Sequence, residues 1–496
     1  MKKKIFLIPA ALCIIIASCS KDSGFGPGKD LSSGFKKGIP SWIPQVNYSP
    51  AADGDDTDEL MALLTGAKPG SVIKLSAGEY HLGYMELYGF KGSIVGSGKE
   101  KTKIILKPSI DQASQMDDNQ TPGWWRLIGG DITLSHITFM TPDGFLSDEG
   151  DYKPTADLGA DLYSMFMVNH FNDEYYHPDG PPQKLLVKNC SFIGGTNPNT
   201  DFDGWIKTEK NTGLAFWIGV DYVWPKDGVN YPLTKGDYIF KECYFENVLD
   251  GVEGFSLGEK ATLTVTGCRL NRCQIPLFFI ANYNSNINIT DNLFSDSEVY
   301  DILIEDIDAG YLCNTEIKPL KRCSYLITGN QFNQKSSSSI FLCDYWIGTD
   351  PTMRLPMLFN IKGNNFNLNG SGYGITALNS QDPMIRNNRF TGACEAGIYI
   401  NGGATEDFFG IPILNEVYAK NALVLGNNFS GLKATNAVVV LGDKTMNCTV
   451  IGTGKEKVVD DGINNIVTGM KKVPGGHHFG PAIRDNIRMW RGRGLH

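Results

Sequence analysis

The chain has 496 residues, 56 of them glycine, with 45 basic and 54 acidic side chains and a formal net charge of −9. An acidic balance excludes the basic face that a nucleic-acid partner requires. Abundant glycine and many short apolar runs favour a strand-rich, turn-rich protein over a helical one.

Residues 1–18 stand apart from the fold. Lys2, Lys3 and Lys4 precede an apolar run from Ile5 to Ile16, followed by Ala17-Ser18-Cys19. A basic start, a short apolar core and small residues before a cut describe a secretory signal. A membrane-spanning helix needs ~20 apolar residues, which this run does not reach. Ile16-Ala17-Ser18-Cys19 resembles the bacterial lipobox, which implies cleavage before Cys19 and lipidation of its thiol. Ser20 is not the aspartate that this family associates with inner-membrane retention. Lys21-Asp22 is similar to the charged export tags of surface lipoproteins in Bacteroides-like bacteria. The resemblance implies a lipid-anchored protein of the outer membrane or cell surface, touching the membrane through its N-terminal lipid only. Removal of Lys2–Lys4 leaves 42 basic against 54 acidic residues, a net charge of −12.

Residues 19–47, rich in Gly, Ser, Lys and Pro, carry the lipid and a flexible tether. Asp56-Thr57-Asp58-Glu59 then opens a short amphipathic helix over 57–65, closed by Gly66 and Pro69. Short strand-like runs follow at Ser71–Leu75, Gly78–Tyr80 and Gly92–Gly96.

Between Cys190 and Phe429 one phrase returns: Cys190-Ser-Phe192, Cys243-Tyr-Phe245, Cys268-Arg-Leu270, Asn292-Leu-Phe294, Asn330-Gln-Phe332, Asn364-Asn-Phe366, Asn388-Arg-Phe390 and Asn427-Asn-Phe429. Successive spacings are 53, 25, 24, 38, 34, 24 and 39 residues, a minimum near 24 with longer excursions. A fixed rung that tolerates loop insertions is how a solenoid is written. Nine cysteines follow Cys19, an odd number without paired short spacing, which is poor support for a disulfide frame or zinc site. Cys190, Cys243 and Cys268 hold the phrase position of the later asparagines and are expected to be small, buried and stacked.

The stretch from Asp55 to Tyr80 and the N-x-F phrases resemble the right-handed parallel β-helix proteins of the pectate-lyase-like superfamily. In that superfamily a helix caps the first coil, a G-x-Y turn closes it, and asparagine amides stack at one turn of successive coils. The resemblance spans residues 51–470 and implies an all-β, single-stranded right-handed parallel β-helix with a short N-terminal capping helix. It does not select an activity, because the superfamily holds lyases, hydrolases, epimerases, esterases, phage spikes and adhesins. The expected organisation is a β-helix over 48–470, insertions at 145–182 and 193–236, and a cap or tail over 471–496. In the tail Ile483, Ile487 and Trp490 are spaced for one helix face, although an extended tail crossing the last coil fits as well.

The insertions carry aromatic residues, among them Trp205, Trp217, Tyr222 and Trp224. Flat rings suit the apolar faces of sugars, and they equally fold a loop against its scaffold. Alternation along Asp301-Ile-Leu-Ile-Glu305 turns Ile302 and Ile304 inward and Asp301 and Glu305 outward. Asp306 and Asp308 follow, and Asp344-Tyr345-Trp346 falls level with Asp306 one coil later. Glu253, Asn379, Asp382, Tyr399 and Asn401 lie on neighbouring coils.

Rungs ~4.8 Å apart bring carboxylates near the ~5–5.5 Å separation of retaining glycosidases, and a further rung suits the ~6.5–9.5 Å of inverting ones. Glu305, Asp306 and Asp344 are therefore the acid/base candidates, with Tyr345, Trp346, Trp217, Trp224 and Asn401 as substrate-binding candidates. The same oxygens could instead hold Ca2+. A polysaccharide lyase would need a base and a cation, for which Lys318, Lys321, Arg322 and Arg354 are placed without a recognisable motif. The polygalacturonase-like branch carries N-T-D, D-D and G-H-G motifs. Here Asn199-Thr200-Asp201, Asp460-Asp461 and Gly476-His477-His478 stand in the wrong contexts. Asp201-Phe-Asp203-Gly204 is too short for a calcium loop. Two readings remain: a glycoside hydrolase or polysaccharide lyase, and a non-catalytic glycan-binding or adhesive lipoprotein. Polysaccharide is the expected partner in both.

Overall fold

The computed structural model describes residues 44–51, 54–106, 123–142, 164–168, 183–195, 214–219, 234–255, 257–258, 260–280, 282, 284–307, 322–334, 338–345, 357–370, 372–403, 417–452, 454 and 456–473. Among them the helix Thr57–Thr65 is accompanied by strands alone. Over most of the chain every third strand joins the same sheet, and Ala419–Lys420 and Thr445–Met446 pair apart from the three. The first sheet has 14 strands, from Gln45–Tyr48 to Ile466–Thr468. The second has 11, from Gly78–Leu82 to Asn428–Ala434, and the third 13, from Met85–Tyr88 to Lys471–Val473. Pairing within each sheet is parallel. A chain that visits three parallel sheets in rotation winds into a β-helix, and parallel crossovers take the right hand.

The corner from the first sheet to the second sets the coil. From Ser135–Thr138 to Leu425–Asn428 it holds two residues each time. The first has positive φ: 52° at Asn189, 56° at Asp291, 71° at Gly329 and 55° at Asn387. Glycine and short polar residues enter this region most cheaply, which explains the Gly, Asn and Asp at seven of these corners, while His136 and Glu242 hold it at φ 61° and 56°. The second is the ladder residue. Oδ1 of Asn292 accepts the Cys268 backbone N at 2.8 Å, and Oδ1 of Asn330, Asn364, Asn388 and Asn427 does the same for the preceding rung at 2.9, 2.9, 3.0 and 2.9 Å. Each Nδ2 also reaches back to a carbonyl, that of Val265 for Asn292 and Ile289 for Asn330. Buried amides thus meet their hydrogen-bonding needs within the column. Sulfur does this less completely at the other end, where Cys243 N donates to Cys268 Sγ at 3.4 Å.

Inside the cylinder the phrase phenylalanines stack. Phe294, Phe332, Phe366, Phe390 and Phe429 have ring centroids 4.9, 4.7, 4.6 and 4.9 Å apart in turn. The column also runs upstream of the repeat, through Phe139 and Ile104 in register with Phe192. The eight described cysteines are buried and free of disulfides. At the start, Leu60 and Leu64 of the helix enter the core. Asp56 fastens that end by accepting from Ala51 N at 2.6 Å and His81 N at 3.0 Å. The expected capping helix over 57–65 therefore stands as Thr57–Thr65.

Three expected boundaries are corrected. Gln45–Tyr48 is a strand paired with Val72–Leu75, so the scaffold begins before residue 48. Lys471–Val473 is a strand of the third sheet, past the expected end at 470. Both expected insertions contain a full rung strand, Ser164–Val168 in one and Leu214–Gly219 in the other. Those strands are buried on both faces, so they lack the alternation that would have marked them. The tail containing Ile483, Ile487 and Trp490 lies outside the described residues. Among the described residues no helix is long and apolar enough to cross a membrane.

Candidate functional site

Where the chain lengthens its coils decides where a site can form. The first-to-second corner stays at two residues over most of the solenoid, while every connection longer than ten residues enters or leaves the third sheet. Long connections on a rigid frame are where binding and catalysis concentrate. The third sheet also differs in burial. Strands of the first sheet alternate, as in Thr262–Thr266 and Asn286–Thr290, whereas Leu214–Gly219, Asp250–Phe255, Ile275–Ile280 and Tyr373–Leu378 are buried throughout. Their outward residues form a second apolar layer with Trp217, Phe255, Phe278, Leu303, Phe341 and Tyr399.

Carboxylates are set into this outer layer. Glu305 is fully buried, and its register partners Ile280 and Cys343 both belong to the layer. Glu253 is buried between Trp217 and Phe278, and Asp250 between Leu214 and Ile275. Placing a carboxylate away from water costs several kcal/mol unless partners compensate, and each of the three has further interactions. Glu253 and Glu305 lie two rungs and two residues apart, a Cα separation of about 12 Å from strand and rung spacings.

The register places Asp306 opposite Asp344, as expected from the sequence. It does not put Asp344 on the face of Glu305. Cys343 is the partner of Glu305 and lies in the outer layer, so Asp344, one residue on, falls on the opposite pleat. Asp344 is itself buried. The side chains of Asp306 and Tyr345, and the residues Asp308, Trp224 and Trp346, lie outside the described residues.

Asp301 is a correction. It was expected outward, but the outer-layer residue is Tyr300 and the next core residue is Ile302, so the alternation breaks between them. Asp301 lies buried at the corner, where Oδ1 accepts from Ser297 Oγ at 2.6 Å. Burial pushes its carboxyl up to about 7, against the opposing hydrogen bonds of Ser297 and Ser339.

Two expected sugar contacts are committed to the scaffold. Trp217 is buried and packs on Phe255 with ring centroids 5.4 Å apart. Asn401 donates to the Tyr399 hydroxyl at 3.1 Å and accepts from Lys444 N at 3.0 Å. Tyr399 in turn stacks on Tyr373 at 5.0 Å, and Tyr373 donates to Glu395 at 2.9 Å. Burial raises both phenols.

Of the basic candidates, Arg322 is ion-paired with Asp382 at 3.3 Å, and Lys318, Lys321 and Arg354 lie outside the described residues. Sequence reasoning missed Arg126, buried on the outward face of the third sheet and paired with Glu86 at 2.6 Å. Its run Gly123-Trp-Trp-Arg126 gave no alternation to read. Asp250 was missed too, because the alternation breaks between it, level with Leu214 of the outer layer, and Val252, which faces the core. Asp460 is a scaffold residue: burial would raise it, but Lys472 at 2.7 Å and Asn465 at 2.8 Å hold it below the usual range. Among the described residues no group of three or more His, Cys, Asp or Glu is arranged to hold a metal, so the Ca2+ alternative gains no support from them.

Comparison with known proteins agrees with the fold. The family model described as a right-handed beta helix region matches residues 231–406. The A-module of a mannuronan C-5 epimerase from Azotobacter vinelandii is similar at 14% identity and TM-score 0.40, over 88% of this chain and 96% of that one. A family 28 exopolygalacturonase from Yersinia enterocolitica is similar at 11% identity and TM-score 0.40, over 88% and 79%. The catalytic unit of a GH87 alpha-1,3-glucanase from Streptomyces thermodiastaticus is similar at 13% identity and TM-score 0.33, over 88% and 67%. No curated protein matches the sequence. The chain is a right-handed parallel β-helix, and its likeness to these three proteins is one of fold.

Proposed function

We propose that the protein is a carbohydrate-active enzyme that engages polysaccharide at the third sheet and hydrolyses it, with Glu305 and Glu253 as the acid/base carboxylates. The observation that carries this reading is the outer layer itself. It sets Asp250, Glu253 and Glu305 among aromatic residues on the sheet that every long connection adjoins. One carboxyl would protonate the glycosidic oxygen and the other would activate water from the opposite face of the sugar. With Cα atoms about 12 Å apart, the two glutamates are too widely set for the ~5–5.5 Å of a covalent glycosyl mechanism, and side chains leaning toward each other would bring the carboxyls to the ~6.5–9.5 Å of an inverting one.

The test is turnover of a polysaccharide panel by the purified mature protein. New reducing ends without unsaturation support hydrolysis, while unsaturated ends would assign a lyase. Retention without cleavage would assign the second reading, a glycan-binding lipoprotein. In either case the proposed address is the outer membrane or cell surface, reached by lipidation of Cys19.

A further inference from the structure

The outer face of the second sheet carries a feature that the hydrolase reading does not use. From Ser191–Ile193 to Gln331–Asn333 its strands are three residues long. The next three lengthen to Asn365–Asn369, Arg389–Cys394 and Asn428–Ala434. Where short strands meet long ones the surface steps, and an open groove of about 580 Å3 lies along the step. It is lined by Asn333, Gln334, Asn367, Asn369, Gly392 and Lys433, among others.

The register lays these residues out as an array. Asn333 pairs with Asn367, and Asn367 with Thr391. One row further along, Asn369, Ala393 and Lys433 stand side by side on three rungs. Asn365, Asn367 and Asn369 all face outward, while Phe366 and Leu368 between them are buried. Amides therefore stand ~4.8 Å apart across one pair of rungs, Asn333 and Asn367, and ~6.6 Å apart along the strand from Asn365 to Asn369.

The dip between Asn369 and Lys433 exists because the residues there are small. Gly392 has φ +89°, and a Cβ on it would stand 2.0 Å from the Leu368 carbonyl oxygen. A Cβ on Gly431 would meet Thr391 Cγ2 at 2.9 Å. Backbone is thus exposed on the floor and amides line the rim.

We infer that this groove is a second carbohydrate-binding site, which holds a polysaccharide chain along the solenoid axis away from the third sheet. Each amide presents a donor and an acceptor together, the pairing that neighbouring sugar hydroxyls require. The rung spacing is of the order of one sugar ring, ~4.8 Å, so successive rungs can meet successive residues of one chain. Leu368, the one large apolar residue of the lining, is buried, so the groove offers no exposed anchor of the kind that carries protein interfaces, and one lysine with one aspartate, Asp296, is too little for a nucleic-acid backbone. The inference goes beyond the hydrolase reading and shares with it only the class of ligand.

Affinity electrophoresis of the mature protein through gels containing glucan, xylan, polygalacturonate or alginate tests it. Wild-type protein is expected to be retarded in at least one gel. Asn367→Ala/Asn369→Ala, which removes the rim amides, and Ala393→Leu, which fills the dip from an exposed position, should each weaken retardation at least fivefold. Asn286→Ala, which removes an exposed amide from the first sheet, should leave it unchanged. Weakening only in Lys433→Ala and only with the acidic gels would mean ion pairing alone and would overturn the amide reading. Wild-type migration unaffected by every polysaccharide, or groove variants retarded like wild type, would overturn the inference. Turnover without groove-dependent retardation would leave the hydrolase reading standing alone, and groove-dependent retardation without turnover would do the reverse.

Discussion

Asn364 Oδ1 accepts two hydrogen bonds from Asn330, one from the backbone N at 2.9 Å and one from the side-chain Nδ2 at 3.0 Å. Removing the Asn364 amide orphans two buried donors on the rung below. An unsatisfied buried donor costs about 1–3 kcal/mol, so Asn364→Ala is expected to lower stability by about 2–5 kcal/mol. Asn364→Cys should cost less, because Cys268 Sγ already accepts Cys243 N at the equivalent corner. Urea denaturation of the three proteins checks the order, and equal losses for Ala and Cys would show that the column does not depend on its acceptors.

That column was legible in the sequence because it repeats. A ladder residue and an inward phenylalanine stand at fixed offset in coil after coil, and only a stacked solenoid makes such an offset useful. The capping helix was legible for a different reason, its acidic first turn and following apolar stripe. The outer layer of the third sheet was not. Leu214–Gly219 and Ser164–Val168 face two apolar surfaces, so their side chains do not alternate, and both sit inside long polar stretches. The placement of Glu305 on the outward face could be read from Ile302 and Ile304. Its full burial could not, since that depends on what the rest of the chain brings over the sheet. Asp301 shows the limit of alternation: Tyr300 faces the outer layer and Ile302 the core, so the alternation breaks at Asp301 while the pairing offset stays the same.

Asp301 makes stability depend on pH. Its carboxyl is raised by burial to about 7, above the ~3.9 of an unfolded aspartate. Between those values the folded state holds the proton more tightly than the unfolded state, so stability falls as pH rises through this window and is flat above it. Asp301→Asn keeps an acceptor for Ser297 and cannot ionise. It should be more stable than wild type by about 1–4 kcal/mol at pH 8, with the advantage gone near pH 3.5. An advantage independent of pH would show that Asp301 does not titrate in this range.

Cys19 tests the proposed address. Cys19→Ala, expressed with its own leader, should lose incorporation of radiolabelled palmitate and leave the membrane fraction. The substitution lies outside the solenoid, so far-UV circular dichroism of the secreted product should match the wild-type mature protein. Undiminished labelling would remove the lipobox reading.

Glu305 and Glu253 share the outward face of the third sheet, and their substitutions separate chemistry from packing. A group that gives or takes a proton in the transition state contributes typically about 10²–10⁴-fold. Glu305→Gln and Glu253→Gln keep volume and hydrogen-bonding capacity, so each should lower kcat by about that factor while KM changes little. Asp344→Asn lies on the opposite pleat and should act chiefly through KM or stability. The double variant Glu253→Gln/Glu305→Gln should be scarcely slower than the worse single variant, because residues acting as a unit are strongly non-additive. Single-substrate kinetics with thermal melts of each variant decide the matter. Full turnover in a folded Glu305→Gln protein would remove Glu305 from the chemistry, and an equal kcat loss in Asp344→Asn would move the site to the strand ends.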